Sequence, residues 1–309
     1  MKVLAILPPF LPIDEIDRAV GAILPGIEIR TDTDFESSEC EVLIVTTFTP
    51  VDPALLGKMP GLKFIQVAST GYDNVQISIL KERGIRLSNI PVANKESVAE
   101  HVIAFVLAFL KNLIFFDRTL REGNWPILTN SRELSGKVFG IVGMGAIGKR
   151  LAERLLYFGV KTVYYDPVRL PEAEEEMLGA RPLDLNTLLK ESDIVSIHMP
   201  LTDKTRNMFG QDTFSMMKDG AIFINTSRGE IVDEAALIDA IKRKGIQAGL
   251  DVYPHEPPDF TSELFRLDNV IFSPHIAGVT MESQRRFITE TVSNVLKYVQ
   301  GLEPLYRVV

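Results

Sequence analysis

A glycine-rich turn is the first feature of this 309-residue sequence that could do chemistry. Gly143, Gly145 and Gly148 follow an apolar run at residues 138–142, and a helical pattern continues beyond them. A second apolar run then ends at Asp166, about 20 residues beyond the last glycine. This order of strand, glycine turn, helix, strand and acid is typical of a site that binds a dinucleotide.

Each part of the turn has a physical role in such a site. Gly143 permits the tight turn, and Gly145 lets the backbone approach a pyrophosphate at the positive end of a helix. Gly148 allows the helix to lie close to the strand. We therefore predict that these glycines, together with Ala146 and Ile147 at the helix start, bind the cofactor.

Asp166 bears on which cofactor is bound. A carboxylate at this position can accept hydrogen bonds from the adenosine ribose hydroxyls, and it would repel a 2′-phosphate. The sequence therefore favours NAD over NADP. Arg169 is close enough in sequence to soften this preference, but we interpret it as a solvated surface residue. The acidic run at 172–176 is likewise interpreted as a solvated patch.

A second set of residues could supply the protein's part of a hydride transfer. Arg228 is a cation that can hold a carboxylate or polarise a carbonyl group. His275 can exchange a proton near neutral pH, and Glu256 could orient the imidazole and favour its charged form. Simpler interpretations also exist, namely a helix-entry turn for Arg228, a cap for His275 and a stiff surface loop for Glu256.

The elements that must position these residues follow from the apolar runs. Six runs separated by helical stretches predict a doubly wound parallel sheet, with strands at residues 138–142, 162–165, 194–198, 221–225, 248–250 and 270–272. The carboxyl ends of such strands meet at one edge, where ligands bind. We therefore expect His198, Arg228 and His275 to converge there, with Asp251 as a candidate for holding the nicotinamide carboxamide.

A smaller α/β unit precedes the glycine turn. Its predicted strands are at residues 3–7, 41–46, 64–67 and 86–88. A helical pattern at 281–298 could return to this unit. We thus expect a substrate domain at 1–94 plus 280–309, with a cofactor domain at 95–279 inserted in it.

Composition excludes several other classes of protein. The chain is 46% hydrophobic and 24% charged, as in soluble globular proteins, and its net charge of −8 argues against nucleic-acid and anionic membrane partners. Cys40 is the single cysteine, so an intramolecular disulfide is impossible and no metal-ligand cluster is expected. The apolar N-terminus stops at Pro8 and is typical of a strand rather than a signal peptide, which predicts a cytoplasmic location.

Residues 97–116 form a very apolar segment. Glu100, His101 and Lys111 interrupt it, which favours a buried helix over a membrane span. A helix that is apolar nearly all round must contact several surfaces. A domain junction or a subunit interface would satisfy that need.

Long motifs in the sequence resemble those of the D-isomer-specific 2-hydroxyacid dehydrogenase family, in particular its glyoxylate reductase and phosphoglycerate dehydrogenase members. The resemblance covers almost the whole chain, and besides the glycine turn it rests on LSGK at 134–137, HMPLT at 198–202, NTSRGEIVDE at 225–234, GLDVYPHEP at 249–257 and SPHIAG at 273–278.

The resemblance implies a fold and a set of roles. It implies a Rossmann-type sheet inserted in a smaller, flavodoxin-like α/β domain, and a homodimer built on the cofactor domain and the helix after Ser97. It makes Arg228 the clamp for the substrate carboxylate and carbonyl, His275 the acid/base and Glu256 its partner. Further implied cofactor residues are His198, Pro200, Thr205, Thr226, Ser227, Asp251 and Gly278.

In the first domain the resemblance implies a substrate-binding loop. Backbone N–H groups at Ser69, Thr70 and Gly71 would bind the substrate carboxylate, and Asn94 would lie near the hinge or the substrate pocket.

Two alternatives to a reductase of small 2-oxo acids stay open. Phosphoglycerate dehydrogenases of the family place arginines near the positions of Thr46 and Val67 here, and their longer members carry an extra serine-sensing domain that is not expected in this chain. Phe48 and Tyr72 could instead line a pocket for a small or apolar acid. The second alternative is an NAD-sensing, corepressor-like protein that binds NADH with little turnover.

Overall fold

The chain folds as two units, one of them built from two separate stretches of sequence. The computed structural model describes residues 1–127 and 130–309. The first unit comprises Met1–Asn94 together with Thr280–Val309, and the second comprises Lys95–Val279.

The first stretch of the first unit alternates strands and helices. Its elements are β1 (Val3–Ile6), α1 (Ile13–Gly21), β2 (Glu28–Arg30), β3 (Val42–Val45), α2 (Pro53–Gly57), β4 (Phe64–Val67), α3 (Ile77–Arg83) and β5 (Arg86–Ser88).

The second unit opens with two helices and then alternates strands and helices. Its elements are α4 (Lys95–Leu110), α5 (Leu113–Arg121), β6 (Val138–Val142), α6 (Ala146–Leu155), β7 (Lys161–Tyr165), α7 (Glu172–Leu178), β8 (Ala180–Pro182), α8 (Leu185–Glu191), β9 (Ile194–Ile197), α9 (Gln211–Met216), β10 (Ile222–Asn225), α10 (Glu234–Lys244), β11 (Gln247–Leu250) and β12 (Val270–Phe272). The chain then returns to the first unit with α11 (Met281–Val299).

Both sheets are parallel, and their strand orders define the fold class. The first unit has the order β2-β1-β3-β4-β5, the arrangement of flavodoxin-like sheets. The second has β12-β11-β10-β9-β6-β7-β8, a doubly wound sheet with one strand more than the six-stranded Rossmann order. The predicted fold class is therefore confirmed.

Apolar side chains cover both faces of the larger sheet. Phe209, Phe214 and Phe223 belong to the cluster on one face, and Phe139 and Leu151 belong to the cluster on the other. The strands are buried on both sides, which explains why their sequences are continuous apolar runs. Strand order reverses between β6 and β9, so the carboxyl end of β6 lies at the switch point, where doubly wound sheets bind their ligands.

In the smaller unit, α11 closes the sheet from the far end of the sequence. The ring of Tyr298 stacks on that of Phe64 in β4 at 4.5 Å. Asn294 donates to the carbonyl of Leu305 at 3.1 Å and accepts from its amide at 3.0 Å, which holds the segment after the helix.

Two strands were not predicted from the sequence. β2 and β8 are three residues long and lie at sheet edges, where Glu28, Arg30 and Arg181 place charges. Short and charged edge strands resist pairing with other chains. Because they contain no apolar run, the sequence pattern did not predict them.

The prediction of one continuous buried helix over residues 97–116 was wrong at its C-terminal end. α4 stops at Leu110, Asn112 adopts a left-handed conformation with φ 52°, and α5 leaves at an angle of 59°. Asparagine tolerates this conformation better than most residues, so it ends the helix locally. α4 buries eight residues and α5 buries none.

Across residues 1–127 and 130–309, no single helix has the length and apolar composition needed to cross a membrane. The bent pair of α4 and α5 passes that test on length and composition alone.

Candidate active site

The glycine turn joins β6 to α6 at the switch point of the larger sheet. Gly143 has φ 104°, and a Cβ there would lie 2.7 Å from the carbonyl carbon of His198. A Cβ on Gly148 would overlap the carbonyl oxygen of Gly143. Both positions exclude any side chain, so the helix start stays close to the strand end.

Gly145 differs because space is open above it. A Cβ at this position would meet no described atom within 4 Å. Gly145 is the N-cap of α6, and it has no side chain to satisfy the first amides of the helix. Amides beside open space at the positive end of a ten-residue helix fit the pyrophosphate of a dinucleotide.

Asp166 lies against this turn. Its Oδ2 accepts from the amide of Met144 at 2.8 Å, and its Oδ1 accepts from the amide of Val168 at 2.9 Å. Each carboxylate oxygen has a further lone pair, so the group can still accept hydrogen bonds from a ribose.

Arg169 lies at the surface, as predicted, with its side chain 66% exposed, but it is also paired with an acid. Its guanidinium donates to both oxygens of Glu175, at 2.9 and 2.8 Å, and the Tyr164 hydroxyl donates to Glu175 at 2.6 Å. The hydrogen bonds from Arg169 and Tyr164 lower the pKa of Glu175. The interpretation of residues 172–176 as a solvated patch was therefore wrong at Glu175, which is buried.

The ends of β9 and β10 carry further predicted cofactor residues. Burial lowers the pKa of His198 to about 3, so its imidazole is neutral near pH 7, and its Nε2 lies 2.9 Å from the hydroxyl of Ser196. The hydroxyl of Thr226 is buried and has no hydrogen-bond partner within the described part of the chain. Buried hydroxyl groups normally have a hydrogen-bond partner, so this one fits a position where a bound cofactor supplies it.

Other predicted cofactor residues shape the loops at this edge. Thr205 is buried and donates to the carbonyl of Pro200 at 2.7 Å, so it stabilises the loop after β9. The hydroxyl of Ser227 donates to the carbonyl of Met199, which ties the loop after β10 to that loop. The roles assigned to Pro200, Thr205, Ser227 and Gly278 in cofactor binding stay predictions.

Arg228 follows β10 in an extended conformation. Asn225 donates to its carbonyl at 2.9 Å, and its own Nη1 donates to the carbonyl of Ser227 at 2.7 Å. Behind it, Gly229 lies directly on the backbone of the next loop, where a Cβ would overlap the carbonyl carbon of Tyr253 and the nitrogen of Pro254. This contact fixes the Arg228 backbone relative to the loop that carries Glu256.

His275 and Glu256 form a hydrogen-bonded pair. The Nδ1 of His275 lies 2.6 Å from Oε2 of Glu256, and Oε1 accepts from the amide of Tyr253 at 3.1 Å. Since a carboxylate only accepts, Nδ1 carries the proton, and Nε2 remains the atom that can exchange a proton with a substrate. The structure thus brings together the two residues that the sequence assigned to acid/base chemistry.

The charge of Glu256 depends on this pair. Burial alone would raise the pKa of Glu256, but the hydrogen bond from His275 and the positive charges of His275 and Arg228 lower it overall. Its carboxylate therefore stabilises the folded chain above its ordinary pKa of 4.5, and this stabilisation is lost as the pH falls through the lowered value.

Asp251 anchors the turn that presents His275. It is 1% exposed, and its oxygens accept from the amides of Ile276 and Ala277, each at 2.9 Å, and from the Ser273 hydroxyl at 2.5 Å. These bonds oppose the strain at His275, whose φ of 54° costs about 1 to 3 kcal/mol in a residue other than glycine. The predicted contact of Asp251 with a carboxamide stays a prediction.

The predicted substrate loop lies in the smaller unit. Asn89 donates to the carbonyl of Thr70 at 2.7 Å, and the Thr70 hydroxyl lies 2.9 Å from Oδ1 of Asn94. Within residues 1–127 and 130–309, the amides of Ser69, Thr70 and Gly71 donate to no acceptor. Three such amides in succession provide donors for an anion.

Sequence reasoning missed the residues that support this site. Gly229, Tyr253 and Ser273 occur within the family motifs, but their residue types alone do not indicate a role in the site. From the sequence, His101 is only a polar interruption of an apolar segment, but its Nε2 lies 2.9 Å from the Ser273 hydroxyl. A polar residue on an otherwise apolar helix was the available signal.

Comparison with known proteins agrees with the fold. A family model for the D-isomer-specific 2-hydroxyacid dehydrogenase NAD-binding domain matches residues 103–277. The glyoxylate reductase of Thermococcus litoralis is 40% identical over 275 residues, which are 86% of this chain and 82% of that protein. The hydroxypyruvate reductase of Thermotoga maritima is 40% identical over 263 residues, 84% of this chain and 85% of that one.

A solved structure extends the match to nearly the full length. The crystal structure of D-lactate dehydrogenase from Aquifex aeolicus, complexed with NAD and lactic acid, superposes with a TM-score of 0.87 at 32% identity. The match covers 97% of this chain and 96% of that one. These matches define an oxidoreductase with an NAD-binding domain. The chain belongs to the D-isomer-specific 2-hydroxyacid dehydrogenase family.

The contact at Gly229 provides a test of how the site is positioned. We expect Gly229→Ala to lower kcat/KM by about 100-fold, because a shift of about 1 Å between Arg228 and the Glu256 loop suffices for such a loss. Steady-state kinetics would measure it. Gly210→Ala is the matched control, since a Cβ there lies 3.7 Å from its nearest neighbour. Unchanged kinetics in Gly229→Ala would show that this contact does not position the site.

Proposed function

We propose that this chain is an NAD-dependent D-2-hydroxyacid dehydrogenase that reduces small 2-oxo acids of the glyoxylate and hydroxypyruvate class. The observation that carries the proposal is the His275–Glu256 pair at 2.6 Å. The glycine turn and Arg228 belong to the same sheet edge, which supports a common site.

Arg228, His275 and Glu256 have different roles in the proposed reduction of a 2-oxo acid. NADH, when bound, supplies the hydride to C2 of the 2-oxo acid. Arg228 polarises the carbonyl group and holds the carboxylate. His275 donates the proton on Nε2 to the carbonyl oxygen as it becomes a hydroxyl group, and Glu256 stabilises the charged imidazole. The 2-hydroxy acid, NAD⁺ and the neutral imidazole result.

The smaller unit would bind the substrate carboxylate through the amides of Ser69, Thr70 and Gly71. Asn74 supports this role, since it donates to the carbonyls of Thr46 and Thr49 and so ties the loop to the segment that carries Phe48. Phe48 is exposed, as a residue that contacts a ligand must be.

A phosphorylated substrate has less support. The family resemblance places phosphate-binding arginines near Thr46 and Val67, and neither position is basic here. Val67 is moreover fully buried in the core of the smaller unit, where its side chain is out of reach of a substrate.

Turnover with a set of acids tests the function. We expect NADH oxidation with glyoxylate or hydroxypyruvate to exceed that with longer 2-oxo acids, and 3-phosphoglycerate to be oxidised poorly with NAD.

His275→Gln should lower kcat by about 100-fold or more while NADH still binds, because the proton donor is lost. His255→Gln is the control, as His255 is exposed. Tight NADH binding with no turnover of any acid would favour an NAD-sensing protein instead.

The preference for NAD rests on Asp166 and on the pairing of Arg169 with Glu175. The Asp166 carboxylate lies at the glycine turn, and Arg169 is engaged by a buried acid through two hydrogen bonds. A 2′-phosphate would therefore meet the negative charge of Asp166, while the nearby Arg169 is already paired with Glu175.

We expect Asp166→Ala to raise the Kd of NADH about tenfold and to reduce the preference for NADH over NADPH. Asp166→Asn keeps a hydrogen-bond acceptor and removes the charge, so it isolates the repulsion. Fluorescence titration with both cofactors measures the two affinities. Glu176→Ala, an exposed acid nearby, is the control. An unaltered preference in both Asp166 variants would contradict the assignment.

A homodimer through the larger unit is supported by its apolar surface. Leu113, Ile114 and Phe115 of α5 are each at least half exposed. A cavity of about 630 Å³ beside α4 and α6 is lined by apolar side chains, Ile103 and Tyr157 among them, and by four charged residues of the two helices. Exposed apolar side chains clustered on one helix are typical of an interface between subunits.

Sedimentation analysis tests the dimer. At micromolar concentration we expect twice the mass of one chain, and Phe115→Asp should shift the equilibrium toward monomer because a charge would be buried in the interface. Met177→Asp changes an exposed apolar residue of α7 and should leave the mass unaltered. A monomeric unmodified protein would refute the proposal.

A further inference from the structure

We propose that His101 of α4 is a positioning residue for the turn that presents His275. This rests on the function proposed for His275. His101 does not act on the substrate; it holds the hydroxyl of Ser273, and through it Asp251, in the arrangement that the turn requires.

The contacts form one chain of hydrogen bonds. The Nε2 of His101 lies 2.9 Å from the Ser273 hydroxyl, which lies 2.5 Å from Oδ1 of Asp251. The same carboxylate accepts from the amides of Ile276 and Ala277. His101 is thus linked to both residues that follow His275.

The direction of these bonds follows from the groups involved. A carboxylate only accepts, so the hydroxyl of Ser273 donates to Asp251. The oxygen of Ser273 must then accept from His101, which places a proton on Nε2 of the imidazole. Burial lowers the pKa of His101, although the charge of Asp251 opposes this, so the ring is neutral near pH 7 and its one N–H is committed to Ser273.

A second residue of α4 supports the same segment. The Ser97 hydroxyl donates to the carbonyl of Ala277 at 2.6 Å. Ser97 and His101 are one helical turn apart and lie on the same face of α4. One rigid helix therefore contacts the two ends of the five-residue segment 273–277, with the left-handed His275 near its middle.

Loss of the His101 bond should act on the orientation of His275 rather than on binding. Without a donor to its oxygen, the Ser273 hydroxyl is free to rotate away from Asp251. The turn then loses the Ser273–Asp251 hydrogen bond, one of the bonds that offset the strain at His275. Asp251 is the one residue of this chain of bonds that is predicted to contact the cofactor, whereas the glycine turn at 143–148 and Asp166, predicted to bind the pyrophosphate and the ribose, take no part in it. The expected signature is therefore a fall in kcat with little change in the affinity for NADH.

Three variants separate positioning from packing. His101→Leu keeps bulk against Phe105, whose ring lies 4.6 Å away, but removes the donor. His101→Gln places an amide N–H where Nε2 lies. Ser273→Ala removes the group that His101 holds.

We expect His101→Leu to lower kcat at least tenfold with the Kd of NADH changed less than twofold. His101→Gln should keep at least half of the activity. The double variant His101→Leu with Ser273→Ala should be no slower than Ser273→Ala alone, since both changes break one chain of bonds. Equal losses in His101→Leu and His101→Gln would overturn the proposal.

Amide hydrogen exchange provides a readout that does not depend on turnover. The amides of Ile276 and Ala277 should exchange at least tenfold faster in His101→Leu than in the unmodified protein or in His101→Gln. Unchanged exchange in His101→Leu would overturn the positioning role. If the unmodified protein reduces no 2-oxo acid while the exchange differs as expected, the proposed function fails and the positioning of the turn stands.

Discussion

The site in the larger unit depends on the hydrogen bonds that the buried carboxylate of Asp251 accepts. Asp251 stands at the end of β11 and receives hydrogen bonds from three groups of the segment 273–277. Those bonds maintain a turn in which His275 has a positive φ, and this conformation turns the imidazole toward Glu256. A carboxylate buried to this degree is tolerated only when its oxygens are hydrogen-bonded, so the turn and the acid require each other.

The architecture was largely predictable because parallel strands buried on both faces are continuous apolar runs. The exceptions have identifiable physical causes. β2 and β8 are short charged edges that lack such runs, and the bend at Asn112 depends on one backbone conformation within a uniformly apolar segment. Glu175 was misjudged because burial of an acid depends on partners, Tyr164 and Arg169, whose geometry is set only by the folded chain.

The candidate site shows the same division between residue type and tertiary contact. Arg228, Glu256 and His275 stand out by chemistry and by their positions at or after strand ends. The contacts that position them join residues far apart in sequence. Gly229 matters because the backbone of Tyr253 and Pro254 touches it, and His101 matters because Ser273 lies beside it. No local pattern encodes either contact.

The two-part construction of the smaller unit has a consequence for synthesis. Its sheet is complete by Ser88, yet the helix whose Tyr298 covers Phe64 follows only after the whole larger unit. At ordinary elongation rates, roughly 10 to 40 seconds separate Asn94 from Thr280 on the ribosome. During that interval the larger unit, which is continuous in sequence, can fold, while the part of the smaller sheet's apolar face that α11 covers remains exposed. The nascent chain therefore passes through a state in which a chaperone or an identical neighbouring chain can reach that face.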